Sequence, residues 1–345
     1  MRALAIRAPI ALTMGEPAGI GGEIALKSWR DRAAGVPPFF LIDNPARVQQ
    51  LAADLSLGVP VQAISKPGDA AACFETALPV LTLSHDVKAR AGKPETATAA
   101  AVIESIERAV KLTQSGEASA LVTNPIQKSV LTAAGFAHPG HTEFLAALAN
   151  ARTEAVMMLA CRELRVVPVT IHVALAEASR TLTGDKIIYC GRVTAAALAR
   201  DFGIARPCLA FAGLNPHGGE KGGMGREEID IIGPALSQLR AEGINARGPL
   251  PADTMFHSVA RKTYDAAICM YHDQALIPIK TIDFEGGVNI TLALPFVRTS
   301  PDHGTALDIA GQGVASATSL IAALQMAAEM TEKRALWDET AAVNS

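Results

Sequence analysis

Short apolar segments alternate along this 345-residue chain with longer segments in which apolar side chains recur at helical spacing. The apolar segments 10–13, 39–43 and 120–123 are too short for a stable helix and predict buried strands. Residues 95–113 represent the longer kind, because apolar and alanine positions repeat there along one helical face. Strands that alternate with helices predict an α/β fold built in layers around a largely parallel sheet.

Composition excludes several classes of protein. A hydrophobic fraction of 49% predicts a large core, and a net charge of −3 gives no basic surface for nucleic acid or anionic membrane. The five cysteines are scattered without a C-x-x-C pair, which argues against a disulfide framework and a thiolate zinc site. We see no signal-peptide pattern and no apolar run of about 20 residues, so we expect a cytoplasmic protein without a membrane partner.

Polar and charged side chains are concentrated in residues 265–306. The apolar run 266–270 predicts a buried strand that ends at His272 and Asp273, and ligands bind at such strand ends in open α/β sheets. The polar residues that follow are Lys280, Asn289, Arg298, Asp302 and His303. A potential metal ligand, cations and an amide donor so close together suggest a site for a small anionic substrate. The alternative is that these side chains only end a strand and cover a solvated surface.

Three histidines share one kind of position. His172, His217 and His272 each lie at or just past the end of a short apolar segment. If the three strands are neighbours, three imidazoles and an open position form a catalytic site for zinc or a similar divalent cation. Asp253 and Asp273 are candidates to orient these histidines or to move a proton. A single histidine at a strand end is more often structural, and Asp253 could simply cap a helix.

Two further loops could bind an anion. Residues 14–23 form a glycine-rich turn between a strand and a helix, but they lack the G-x-G-x-x-G spacing and the Walker lysine. A structural turn and a ligand rim both remain open. His141 and Thr142 precede a predicted helix at 143–150, where Thr142 is expected to be the N-cap. The pair is either a cap beside a surface histidine or a set of donors for phosphate or carboxylate.

Several motifs, in the same order from Thr13 to about Met330, resemble the 4-hydroxythreonine-4-phosphate dehydrogenase (PdxA) family of vitamin B6 biosynthesis. The motifs are GEPAGIG, TNPIQK, GHTEF, GLNPHGGE, GPLPADT, MYHDQ and GVNITLALPFVRTSPDHGTALDIAG. The resemblance implies two α/β/α domains, like those of isocitrate and isopropylmalate dehydrogenases, with cofactor and substrate in the interdomain cleft. Residues 1–130 and 299–345 would form the discontinuous cofactor-side domain. Residues 131–298 would form the substrate, metal and dimerisation domain.

The resemblance also implies roles for individual residues. His172, His217 and His272 match the metal ligands of the family, with His272 reaching across from the partner subunit of a homodimer. The ion would be Zn²⁺, Mg²⁺ or Co²⁺. The residues that match substrate-binding positions are His141, Thr142, Lys280, Asn289 and Arg298. The residues that resemble the adenosine side of an NAD-binding loop are Gly304, Thr305, Leu307 and Asp308. We hypothesise that Asp253 or Asp273 is the general base.

The implied reaction is an NAD(P)-dependent oxidation of 4-phosphooxy-L-threonine to 2-amino-3-oxo-4-(phosphooxy)butanoate, which decarboxylates to 3-amino-2-oxopropyl phosphate. Three alternatives stay open. The first is a related dehydrogenase that acts on D-threonate or D-erythronate 4-phosphate, or on a cis-dihydrodiol dicarboxylate. The second is a metal-dependent hydrolase or aldolase, and the third is a non-catalytic protein that binds a phosphorylated metabolite.

Overall fold

The computed structural model describes residues 8–138, 140–151 and 153–344. The chain divides into two compact units. The first unit comprises Met1–Ala155 and Leu294–Thr331, and the second comprises Val156–Ala293 and Glu332–Ser345. The sequence predicted one discontinuous domain, residues 1–130 with 299–345, and one continuous domain, residues 131–298, and the roles assigned to them remain predictions.

Twelve strands and eleven α-helices are formed by the described residues. The strands are β1 (Ile10–Thr13), β2 (Phe39–Asp43), β3 (Val61–Ile64), β4 (Leu78–Thr82), β5 (Leu121–Val122), β6 (Val156–Ala160), β7 (Arg165–Pro168), β8 (Cys208–Ala212), β9 (Asn245–Leu250), β10 (Ala266–Cys269), β11 (Val288–Leu292) and β12 (Arg298–Pro301). The helices are α1 (Gly21–Arg30), α2 (Pro45–Asp54), α3 (Ala70–Cys73), α4 (Ala99–Gln114), α5 (Lys128–Ala133), α6 (His141–Leu148), α7 (Leu175–Thr181), α8 (Gly184–Phe202), α9 (Gly233–Ala241), α10 (His272–Ile282) and α11 (Thr318–Asn344).

In the first unit, the strands are hydrogen-bonded in the order β3-β4-β2-β1-β5-β12, and every pair is parallel. Helix α4 packs on β1 and β2. Phe40, Ile42 and Leu121 of the sheet are buried in one core with Ile106 of α4. Strands β1, β2 and β5 are buried and mostly apolar because a parallel sheet is covered on both faces.

In the second unit, the strands follow the order β11-β6-β7-β10-β8-β9. The pairs β11–β6 and β6–β7 are antiparallel, and the pairs β7–β10, β10–β8 and β8–β9 are parallel. The prediction of an α/β fold is therefore confirmed, with a mixed rather than a purely parallel arrangement. Helix α8 packs on β6, β8, β10 and β11. It begins where the Thr183 side chain accepts a hydrogen bond from Lys186 N and ends at Gly203, whose φ of 70° favours glycine.

Two local expectations were wrong. Residues 249–254 were predicted to be a loop, but Pro249 and Leu250 continue strand β9, which runs parallel to β8. The chain was also predicted to fray after about Glu332, whereas α11 continues to Asn344. The extension is stabilised in the second unit, because Arg334 forms an ion pair with the buried Asp201 at 2.7 Å. None of the described helices combines the length and the apolar character needed to span a bilayer.

Candidate active site

The three predicted metal-ligand histidines follow three neighbouring strands of the second unit. Strand β10 lies between β7 and β8 and is parallel to both, so the carboxyl ends of all three strands meet at one edge. His172 comes just after β7, His217 just after β8, and His272 begins α10 after β10. This is the edge at which open α/β sheets bind ligands. The predicted neighbourhood of the three strands is thus present.

Side-chain hydrogen bonds join the three strand ends. Thr170 Oγ1 donates to Met270 O at 2.8 Å, which links the segments that lead to His172 and His272. The Gln274 amide is buried; it accepts from Met270 N at 2.7 Å and donates to Gly213 O at 2.7 Å. Gln274 therefore connects the end of β10 with the end of β8. The loops at this edge are held together by side-chain hydrogen bonds.

His172 and His272 lie close together. Their ring centroids are 5.8 Å apart, with the ring planes inclined by 45°. His272 Nδ1 lies 2.7 Å from the Asp273 carboxylate, an arrangement that leaves Nε2 as the nitrogen able to bind a cation. The two imidazoles border a cavity of about 210 Å³. Its lining consists of Thr170, His172, Val173, Leu175, Ala178, Tyr271, His272 and Asp273.

His217 lies on a separate turn, Pro216–Gly222, which packs against the short 3₁₀ turn Ala252–Thr254. Within the described part of a single chain, no three His, Cys, Asp or Glu side chains converge in a metal-binding arrangement. A site made by His172, His217 and His272 of the same chain is therefore not formed. The version in which His272 comes from a partner subunit stays a prediction.

The backbone at two of these histidines is unusual. His172 and His217 both have a φ of 53°, in the left-handed region that side chains other than glycine rarely adopt. Such a conformation costs about 1 to 2 kcal/mol per residue. Residues held in this way tend to cluster at functional sites. The sequence carried no signal for this feature.

The other four predicted residues of the second unit are either exposed or half-buried. Asp253 is exposed within Ala252–Thr254 and does not cap it, since Pro251 holds the N-cap position. Asp273 is exposed too. Lys280 is half-buried on α10, with its Nζ 5.5 Å from the centroid of the Phe284 ring. Asn289 is half-buried on β11, opposite Leu159 of β6.

In the first unit, the half-buried His141 is close enough to the buried Arg298 to feel its charge. Arg298 is the first residue of β12, is 5% exposed, and donates from Nη2 to Thr123 Oγ1 at 2.6 Å. Burial lowers the pKa of Arg298 to about 10, so the guanidinium remains charged at neutral pH. Burial, followed by the charge of Arg298, lowers the pKa of His141 to about 3. A bound anion would form favourable charge-assisted hydrogen bonds with the desolvated guanidinium and could also accept from the neutral imidazole.

Helix α6 begins two residues earlier than predicted. Its first residue is His141, and Gly140 occupies the N-cap position in an extended conformation without a side-chain cap. The assignment of Thr142 as the N-cap was therefore wrong. Thr142 instead lies in the first turn of the helix, next to His141. His141 Nε2 is buried and has no hydrogen-bond partner among the described residues.

The predicted cofactor loop packs against the glycine-rich turn. Thr305 O accepts from Ile20 N at 3.1 Å, and a Cβ on Gly19 would lie only 2.7 Å from that oxygen. Thr305 Oγ1 donates to Gln127 Oε1 at 3.2 Å. Gly304 and Asp308 are exposed, and Leu307 is half-buried. The glycine-rich turn thus has at least a structural role, because it supports the loop that follows β12.

Sequence reasoning missed two residues that organise these sites. Thr123 contacts Arg298 directly, and Gln274 joins two of the strand ends. Each lies inside a motif that the sequence offered, TNPIQK for Thr123 and MYHDQ for Gln274. A polar residue directly after a buried strand was the available signal in both cases.

Comparison with known proteins identifies the family. A family model described as pyridoxal phosphate biosynthetic protein PdxA matches residues 36–327. A 4-hydroxythreonine-4-phosphate dehydrogenase of Methylorubrum populi is 56% identical over 334 residues, which are 95% of each protein. The Caulobacter vibrioides protein of that name is 53% identical over 331 residues, covering 94% of this chain and 98% of the relative.

Solved structures agree. The crystal structure of 4-hydroxythreonine-4-phosphate dehydrogenase from Klebsiella pneumoniae has a TM-score of 0.85 and 37% identity, covering 94% of this chain and 99% of that one. A terephthalate 1,2-cis-dihydrodiol dehydrogenase from Burkholderia xenovorans is more distant, with a TM-score of 0.63 and 25% identity over 94% and 98% of the two chains. The chain belongs to the PdxA family of pyridoxal phosphate biosynthetic proteins.

Proposed function

We propose that this protein is an oxidoreductase that uses NAD or NADP to oxidise 4-phosphooxy-L-threonine. The product, 2-amino-3-oxo-4-(phosphooxy)butanoate, then decarboxylates to 3-amino-2-oxopropyl phosphate, a step in pyridoxal phosphate biosynthesis. Relatives that are 53% and 56% identical over nearly the whole chain bear the corresponding name. The structural observation that carries the proposal is the alignment of three histidine-bearing strand ends at one sheet edge.

The histidines fit part of a divalent-cation site. Two imidazoles bound to one tetrahedral ion have ring centres roughly 5 Å apart, given metal–nitrogen bonds near 2 Å. The separation of His172 and His272 within one chain is of this size. In a site that takes His272 from the partner subunit, these two rings would bind different ions, so the fit rests on the donor chemistry of the three imidazoles. We propose that His172 and His217 of one chain, with the partner subunit's His272, hold one Zn²⁺, Mg²⁺ or Co²⁺ in a homodimer. When bound, the ion lowers the pKa of a coordinated alcohol, and the nicotinamide accepts hydride.

The residues of the chain bind and orient the substrate. Arg298 and Lys280 supply cationic donors for the phosphate and carboxylate groups. His141 is neutral at physiological pH, so it can donate from one ring nitrogen and accept at the other. Thr142 and Asn289 add neutral donors. The match of these five residues to the substrate-binding positions of the family supports the assignment.

Two carboxylates are the candidates for the base that accepts the hydroxyl proton. Asp273 lies against His272, and Asp253 lies on the turn that packs beside the His217 segment. Both side chains are exposed and can exchange protons with water. Gly304, Thr305, Leu307 and Asp308 are proposed to bind the adenosine side of the cofactor, which assigns the cofactor to the first unit. A cytoplasmic location accords with this role in metabolism.

The test is the production of NADH or NADPH from 4-phosphooxy-L-threonine by protein that has been stripped with a chelator and reconstituted with each metal. We expect reduced nicotinamide only when metal is restored. A panel containing D-threonate 4-phosphate, D-erythronate 4-phosphate and a cis-dihydrodiol dicarboxylate should give much lower kcat/KM. Turnover without nicotinamide would favour a hydrolase or aldolase. Substrate binding without any nicotinamide reduction would favour a binding protein.

A further inference from the structure

The segment that carries His217 is a left-handed turn. Five consecutive residues, 217 to 221, have φ values between 40° and 77°. Three of them, His217, Glu220 and Lys221, are not glycine. A side chain with a Cβ is sterically disfavoured in this conformation. The turn can therefore persist only if surrounding contacts hold it.

One buried carboxylate supplies these contacts. Glu228 is 5% exposed, and its Oε1 accepts from Asn215 N at 2.7 Å while its Oε2 accepts from Asn215 Nδ2 at 2.9 Å. Asn215 Nδ2 also donates to Glu227 Oε2 at 2.7 Å. Asn215 O in turn accepts from Gly218 N at 3.2 Å, inside the left-handed segment. Asn215 therefore connects Glu228, through hydrogen bonds, to the residues around His217.

The fit around this carboxylate is close. A Cβ on Gly219 would lie 2.5 Å from Glu228 Oε2, and one on Gly213 would lie 3.1 Å from Oε1. A glycine therefore lies against each carboxylate oxygen, in addition to the hydrogen bonds from Asn215. The Gly213 carbonyl also accepts a hydrogen bond from Gln274. The contacts of Glu228 with the His217 turn are therefore connected to the strand that precedes His272.

We propose that Glu228 and Asn215 are positioning residues that hold the left-handed turn so that His217 can bind the divalent ion. The inference rests on the proposed metal site. It assigns to these two residues a role in metal affinity that neither has by direct contact. In other metal sites, loss of such supporting partners weakens metal binding by about 10- to 100-fold.

Glu228→Gln tests the proposal. Glutamine keeps the size of the side chain but brings an NH₂ group against one of the two Asn215 donors, so at least one hydrogen bond is lost. We expect Co²⁺ to bind about 10- to 100-fold more weakly by calorimetry. The visible spectrum of bound Co²⁺ should change, and peptides covering residues 213–228 should exchange amide hydrogen faster in the metal-free dimer. The control is Asp230→Asn, which removes the same charge from an exposed ion pair with Arg226.

The outcomes separate this inference from the proposed function. If His217→Ala binds Co²⁺ as tightly as wild type, the metal site itself is refuted, whatever Glu228→Gln does. If His217→Ala weakens binding but Glu228→Gln matches wild type in affinity, spectrum and exchange, the positioning role is refuted and the metal site stands. If Glu228→Gln does not fold, Asn215→Ala replaces it, since it keeps the backbone bond to Glu228 and removes only the amide. Unaltered Co²⁺ affinity in a folded Asn215→Ala protein would refute the proposal.

Discussion

The imidazole of His172 and the imidazole of His272 lie 5.8 Å apart within one chain, one just past the end of β7 and the other at the start of α10. His217, on the third strand end, does not join them in an arrangement of three ligands within the described residues of that chain. In the proposed shared site, these two imidazoles of one chain belong to different ions, because each ion takes His172 and His217 from one chain and His272 from the partner subunit of a symmetric dimer.

Heterodimers of two inactive variants test whether the site is shared. Chains carrying His217→Ala and His272→Ala, co-expressed with different tags and purified as heterodimers, should recover about half of wild-type activity. The reason is that one of the two sites in each heterodimer then receives His172 and His217 from one chain and His272 from the other. Turnover per dimer is the measurement.

The matched control combines His172→Ala with His217→Ala. Because both ligands come from the same chain in the shared arrangement, neither site of this heterodimer is complete, and no activity should return. Equal recovery in both combinations, or recovery in neither, would contradict a site divided between subunits in this way.

Asp273 and Asp253 are compared by replacement with asparagine. Asp273→Asn removes the carboxylate beside His272 Nδ1, so we expect metal affinity to fall by about 10- to 100-fold. The variant of the residue that acts as general base should in addition lose the acidic limb of its profile of kcat against pH. Profiles that match wild type in both variants would exclude the pair as the base.

Arg298→Met should weaken transition-state binding, because a buried charged donor to the substrate is lost. We expect kcat/KM to fall by an amount equivalent to about 2 to 5 kcal/mol, the range for truncating one partner of a buried charge pair. Arg298→Lys should recover part of the loss, since it restores charge without the planar fork of donors.

The control for Arg298 is Thr123→Val. It removes the hydroxyl that accepts from Arg298 Nη2 and leaves the guanidinium in place. Its stability should fall by about 1.5 to 3 kcal/mol, the value of one hydrogen bond to a charged group. Its kcat/KM should stay close to wild type, because the guanidinium is retained. A loss of kcat/KM in Thr123→Val as large as that in Arg298→Met would mean that the arginine serves the fold rather than the substrate.

His141 predicts a pH dependence of stability. Its pKa is lowered from 6.5 to about 3 in the folded protein. Between these values the unfolded chain binds a proton that the folded chain does not, so the free energy of unfolding decreases as pH falls through this window. The slope from one such group reaches about 1.4 kcal/mol per pH unit and disappears below about pH 3.

His141→Gln should therefore flatten the dependence. Urea unfolding of both proteins between about pH 4.5 and 7.5 measures it, since this range covers most of the window in which the two states differ in bound protons. The difference in the free energy of unfolding between variant and wild type should shift in favour of the variant as the pH falls. Parallel curves would show that His141 is protonated in the folded protein.

Much of the fold, including the shared edge that carries the three histidines, followed from local sequence. The apolar runs that form β7, β8 and β10 were predicted as strands, and the polar residues after each run indicated one shared edge. The conformation of the His217 turn could not be predicted from the sequence. Its left-handed residues Glu220 and Lys221 follow Asn215, which is hydrogen-bonded to Glu228 in another segment.

The start of helix α6 and the strand β9 could not be predicted from residue type alone. Thr142 is a good N-cap residue by type, but the preceding Gly140 adopts the extended conformation that starts the helix. Strand β9 was hidden by Gly248 and Pro249, residues typical of loops, and is formed by pairing with β8. At β9, pairing with β8 overrides local preference, and at α6 the extended backbone of Gly140 sets the start of the helix.

The ion pair between Arg334 and Asp201 bears on how this protein should be shortened or tagged. The family model ends its match at residue 327, and a boundary drawn there would discard Arg334. Asp201 is 1% exposed and would keep only Arg200 as a cationic partner among the contacts described here. Expression clones that stop near the end of the family match should give a less soluble product, and an affinity tag is better placed after Asn344 than in exchange for the final turns.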